Sequence, residues 1–84
     1  MSNIILKIAT PNNYTEYSKL NSVSLPAKKG MVTILPEHEN LILEVNSGII
    51  QIEDENKNFE IKISESIAYI GSNSVMIIAS QSTS

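Results

Sequence analysis

Apolar and polar residues alternate along most of this chain with a period of two, the spacing that sends successive side chains to opposite faces of a strand. The pattern is strictest where Phe59, Ile61 and Ile63 alternate with Glu60 and Lys62, which predicts a half-exposed strand. Ile4, Leu6 and Ile8 predict a first strand, ended by Pro11, Asn12 and Asn13, whose residue types suit a turn. Residues 14–18 predict a short, weak strand, and Val23 and Leu25 mark the apolar face of another. Residues 26–30 read as a loop, 31–35 as a strand stopped by Pro36, and 41–45 as a mostly apolar strand buried on both faces. A tight turn is expected at residues 46–48, a strand through Ile50 and Ile52, and a polar hairpin loop over 54–58. Residues 67–70 and 75–79 predict a final pair around a polar turn, followed by a frayed tail over about 80–84.

Pro26, Gly30, Pro36 and Gly48 punctuate the region between residues 25 and 52 too often for one helix. Strands at such short intervals indicate an all-β sandwich or barrel. Neither a heptad, an internal repeat nor a linker is visible, and the length of 84 residues fits a single domain over residues 1–84.

Composition narrows the picture further. The chain has one Phe, three Tyr and no Trp, so its core is aliphatic and largely β-branched, which suits strands. It contains no Cys, which removes disulfides and thiolate metal sites. A net charge of −3 lacks the basic patch expected of a nucleic-acid binder, so no nucleic-acid partner is expected. No apolar run approaches the length of a membrane-spanning helix. The N-terminus has no basic region before its apolar residues, so it does not read as a signal peptide.

Catalytic chemistry is hard to build from these residues. Glu37, His38 and Glu39 suggest a metal or acid–base site, yet adjacent strand positions diverge and the chain has no second His. A turn histidine without a catalytic role is the expectation. Ser64 and Ser66 flank Glu65, but no nucleophile elbow surrounds them. Gly30 and Gly48 precede no helix start and no Gly-Lys-Ser/Thr signature, so they read as backbone turns rather than a phosphate cradle. Neither catalytic residue, metal nor cofactor is therefore expected.

The motifs do carry a resemblance. Leu25-Pro26, a short loop ending in Gly30, then Ile34-Leu35-Pro36 and His38 two residues on, resemble the epsilon subunit of the rotary ATP synthase. Leu41 falls in register with that pattern, and residues 6–11, 48–52 and 73–79 also fit it. The resemblance extends over essentially the whole chain. It implies a flattened ten-stranded β-sandwich of two antiparallel sheets, without the C-terminal helical hairpin that most bacterial members add. It further implies a central-stalk rotor subunit with no catalysis of its own, coupling rotation to ATP synthesis. The implied partners are the gamma subunit and the loops of the membrane proteolipid ring, and the implied location is peripheral, on the cytoplasmic face of the bacterial inner membrane. Without the hairpin, neither ATP binding nor helix-based inhibition is expected.

By position, the resemblance turns Lys28, Lys29, Gly30 and Met31, together with Glu37, His38 and Glu39, toward the ring. It turns Leu41, Leu43 and Ile49, with part of the last strands, toward gamma. The chain departs from the family's pattern at several of these places. Lys28 and Lys29 occupy a loop that is usually acidic, and Met31 stands at a frequently acidic position. Glu37 and Glu39 replace small neighbours of the histidine, Asn40 replaces a proline, and Glu65-Ser66 replaces a glycine pair. The ring loops of the family usually present an arginine. The two glutamates are therefore expected to supply the charge that the earlier loop has lost. A stand-alone sandwich that binds a protein or adds a peptide to an edge strand is the competing reading.

Overall fold

The fold is seen in a computed structural model that describes residues 3–80. Alternation resolves into eight strands: β1 (Ile4–Thr10), β2 (Asn13–Ala27), β3 (Gly30–Ile34), β4 (Leu41–Val45), β5 (Gly48–Asp54), β6 (Asn58–Ile63), β7 (Ser66–Ile70) and β8 (Ser74–Ala79). Among the described residues there is no helix. The expected tail beyond Ser80 lies outside them.

The all-β expectation holds, while its details change in four places. Among the described residues the strands number eight rather than ten, and residues 14–18 and the Val23–Leu25 segment form one continuous strand of 15 residues. Pro26 does not terminate that strand. It stands opposite Met31 in the β2–β3 ladder, next to the turn-closing Ala27–Gly30 rung, so its nitrogen faces the other side of β2, in the gap between the rungs Ser24–Gln51 and Ala27–Val45 where β2 passes from β5 to β4. The sheets are not wholly antiparallel, since β1 and β8 run parallel, with Leu6 opposite Val75 and Ile8 opposite Ile77. Finally, β4 is not buried on both faces, because Ile42 and Glu44 are exposed.

One layer of the sandwich places β4, β7, β8 and β1 side by side, with the first half of β2 on β1. The other carries β6, β5, the second half of β2, and β3. β2 serves both layers, and two register shifts mark its crossing, one opposite Ile4 and Leu6 and one between Leu20 and Ser22. Lys19, at the crossing, has a φ of 59°. Extra residues of this kind bend a strand and let it change sheets. The chain measures 34 × 25 × 18 Å, and the short dimension suits two sheets about 10 Å apart with their outer side chains.

The inward positions fill the space between the layers. Ile4, Leu6, Leu20, Val23, Leu25, Ile34, Val45, Ile50, Ile52, Val75 and Ile77 are fully buried. At the open side, Tyr17 of one layer meets Phe59 of the other with ring centroids 5.4 Å apart. The β5–β6 hairpin is closed by Asp54, whose carboxylate accepts from the Asn56 and Lys57 N–H groups at 2.8 and 2.9 Å. Those two donors hold its pKa below the usual carboxylate value. The stabilisation is present above the unfolded pKa and is lost as pH falls through the lower folded one.

Ser66 is the polar exception in the core. It is 8% exposed, its Oγ has no hydrogen-bond partner, and its in-register neighbours are Val45 and Ala79. An unpaired buried hydroxyl is destabilising, so Ser66→Ala is expected to raise stability by about 1 kcal/mol. A higher urea midpoint would report the gain, and a lower one would show that the hydroxyl is satisfied in solution.

Candidate docking surfaces

Outward positions on the two layers differ in character. On the layer built from β4, β7, β8 and β1, the registers align two rows of side chains. One row runs Ile42, Tyr69, Met76 and Lys7, and the next runs Glu44, Ile67, Ile78 and Ala9. Tyr14 of β2 extends the second row opposite Ala9. Ile42 is 66% exposed, Tyr14 54% and Ile78 48%, so this face offers large apolar side chains to the surroundings. Charges are confined to its margins, where Glu44 ends one row and Lys7 meets Glu16. Tyr14 donates to Glu16 Oε1 at 3.2 Å. Partial desolvation, then the hydrogen bond and charge of Glu16, push the phenol above its usual pKa.

The opposite face is polar. Its outward positions are mostly polar, Ser22 and Ser24 of β2, Thr33 of β3, Gln51 and Glu53 of β5, and Glu60 and Lys62 of β6, with Met31 of β3 and Ile49 of β5 as separate apolar exceptions. Ser24 and Thr33 hydroxyls lie 3.0 Å apart. A shallow concavity there is lined by serine, glutamine, asparagine and glutamate side chains around Phe59. Contiguous apolar surface marks contact sites far better than scattered apolar residues do. The first face is therefore the candidate docking surface.

The residues singled out from the sequence fall in different places. Lys28 and Lys29 form the two-residue turn between β2 and β3, closed by the Ala27–Gly30 rung. Gly30 has a φ of 126°, a conformation that side-chain-bearing residues rarely adopt, which accounts for glycine there. Lys28 is tied to the body of the domain, its N–H donating to the Glu44 carbonyl at 3.0 Å and its Nζ lying 3.5 Å from Glu65. Met31 follows, 57% exposed.

Glu37, His38 and Glu39 lie elsewhere. The Glu37 N–H donates to Asn73 Oδ1 and the His38 N–H to the Ser72 carbonyl, both at 3.0 Å, which pins this connection to the β7–β8 turn. His38 Nδ1 sits 2.7 Å from the Glu39 carbonyl oxygen. Lys28 thus lies by the Val45–Ser66 end of the β4–β7 pair and His38 by the Leu41–Ile70 end, roughly 14 Å away by strand rise. The two groups, expected together on one surface, lie at opposite ends of the fold. The same separation removes His38 from Ser66, so no nucleophile–base pair forms. Among the described residues, no group of three His, Asp or Glu side chains is positioned to hold a metal.

Leu41, Leu43 and Ile49 do not share a face either. Leu43 points inward and packs against the core, Leu41 lies on the inward side at the edge, and Ile49 projects from the polar layer. The last strands, expected only in part, contribute most of the apolar face. The adjacency of Ile42 and Tyr69 is not legible in the sequence, because it depends on the pairing of β4 with β7.

Residues 3–84 match the family described as ATP synthase, Delta/Epsilon chain, beta-sandwich domain. The chain is 39% identical over 80 residues to the ATP synthase epsilon chain of Campylobacter curvus, covering 94% of this chain and 62% of that one. Its identity to the epsilon chain of Sulfurimonas denitrificans is 40% over 60 residues, covering 71% and 46%. The chain thus spans less than two-thirds of the length of these relatives. Among solved structures, it superposes on a chain of the Euglena gracilis mitochondrial ATP synthase, OSCP/F1/c-ring, with a TM-score of 0.84 at 20% identity, covering 94% of this chain and 51% of that one. A chain of the Tetrahymena thermophila mitochondrial ATP synthase central stalk/c-ring gives 0.75 at 9% identity, covering 95% and 66%. At these identities the superpositions establish a shared fold.

Proposed function

Since the chain belongs to the ATP synthase delta/epsilon family as its beta-sandwich domain, we propose that it is a non-catalytic rotor element of the central stalk of a rotary ATP synthase. Its apolar β4-β7-β8-β1 face docks on the gamma subunit, and one end of the sandwich meets the polar loops of the proteolipid ring. The observation that carries this reading is the two-row apolar face, which a domain acting alone would leave in water. A rigid sandwich needs no moving part for this task. Apolar packing on gamma holds the rotor together, and charge at the ring end sets orientation. No helix among the described residues is long and apolar enough to cross a membrane. The chain would meet the cytoplasmic side of the membrane through its partners. No ATP binding is part of this reading.

Native mass spectrometry with the gamma subunit of the same enzyme tests the first contact. A one-to-one complex is expected, and its absence with a folded gamma overturns the assignment.

The ring contact is separable. A single ring surface can take only one end of the sandwich, and the acidic end, at Glu37 and Glu39, is the one complementary to a basic ring loop. Paired Glu37→Lys and Glu39→Lys changes are expected to weaken assembly on the ring about tenfold, while the same change at Glu53 and Glu55 leaves it nearly unaltered. Pull-down on reconstituted rings measures both. Equal losses would sink the acidic-end assignment, and disruption by Lys28→Glu with Lys29→Glu alone would move the contact to the opposite end.

A further inference from the structure

A different surface remains once the apolar face is assigned. Among the described residues, β6 pairs with β5 alone and is the last strand of the sheet path. The Asp54 N–H donates to the Lys57 carbonyl at 3.0 Å, which makes that rung a hydrogen-bonded one. Rungs alternate along an antiparallel pair, so Ile52–Phe59, Ile50–Ile61 and Gly48–Ile63 are hydrogen-bonded as well. The main-chain groups of Asn58, Glu60 and Lys62 are left directed at the free edge. Phe59 and Ile61, on the inward side of the same strand, are only half-buried.

We propose that this edge pairs with itself, joining two copies of the chain through antiparallel β6 strands with Ile61 opposite the second copy's Ile61. In that register each Glu60 faces the other copy's Lys62, at the positions whose main-chain groups point outward. Phe59 faces Ile63 on the inward side. The register is singled out by charge. A slip of one residue pairs an outward side chain with an inward one, which the sheet does not allow. A two-fold axis moved to Glu60 sets two glutamates face to face, and one moved to Lys62 sets two lysines face to face, both unfavourable across a strand pair. The contact is isologous, so one favourable pair occurs twice. The polar layer would become a continuous sheet across both copies, leaving the apolar face uncovered.

Edge pairing of a six-residue strand is a small interface, so a dissociation constant on the order of 100 µM is expected. Sedimentation velocity across a concentration series reads it. Glu60→Lys alone and Lys62→Glu alone each set like charges opposite one another, and each is expected to weaken the dimer at least about tenfold. The double variant carrying both changes exchanges the charges and restores complementarity, so its dimerisation should return to within about threefold of the parent. Circular dichroism confirms that the exposed substitutions leave the fold intact. A chain that stays monomeric at about 1 mM overturns the proposal, as does a dimer indifferent to the single reversals or one that the double variant fails to restore.

Discussion

Replacing both Ile42 and Ile78 by aspartate is expected to abolish detectable binding to the gamma subunit, with a loss of at least about 100-fold in affinity. The two side chains lie in adjacent rows of the apolar face, on β4 and β8, and are 66% and 48% exposed. Their exposure means that the free domain tolerates the change, apart from a small loss of strand propensity. In a complex, each carboxylate would be taken out of water beside Tyr69, Met76 or Ile67 without a partner, a costly position for a charge. Gln51→Asp with Thr33→Asp provides the control on the polar face and should leave binding within about twofold. Isothermal titration against purified gamma measures both. Retained binding by the Ile42 and Ile78 variant would mean that gamma docks on another surface.

The second large effect concerns the fold. Leu25→Ala is expected to cost about 3 kcal/mol and to lower the melting temperature by roughly 15 °C. Leu25 is 0% exposed and sits where β2 pairs with Val32 of β3, in the half of the strand that also contacts β5. A domain of this size has roughly 5 kcal/mol to spare, so most of its stability margin would go. β2 is shared by both layers, so the damage should appear as one cooperative transition at lower temperature rather than as local loosening. Leu41→Ala, at a position 40% exposed on the strand edge, should cost under about 1 kcal/mol. Thermal unfolding followed by circular dichroism compares the two. Similar losses at Leu25 and Leu41 would contradict the arrangement of the core.

Much of the fold was legible in the residues because period-two alternation is local. Phe59, Ile61 and Ile63 announced their shared face, and the polar run at 54–58 announced its hairpin. Pro26 misled because a proline usually ends a strand. It is tolerated where β2 exchanges one neighbour for another, a fact about three strands at once. Lys19 and the adjacent register shifts were equally hidden, since nothing in a lysine announces a φ of 59°. The candidate surfaces suffered more. Glu37, His38 and Glu39 are close to Lys28 and Lys29 in sequence, but β3 lies between them and carries the chain from one end of the sandwich to the other.

The sequence by itself determined the strand class, the aliphatic core, the family pattern and which side chains share a face within each strand. Those properties follow from composition and from a backbone repeat that needs no distant partner. Only the tertiary structure decided that β1 lies parallel to β8 and that β4 lies beside β7. These pairings join residues far apart in the chain, and loop closure and burial select them rather than any local preference. They bring Ile42, Tyr69, Met76 and Ile78 together as one apolar face, and they leave β6 as an edge.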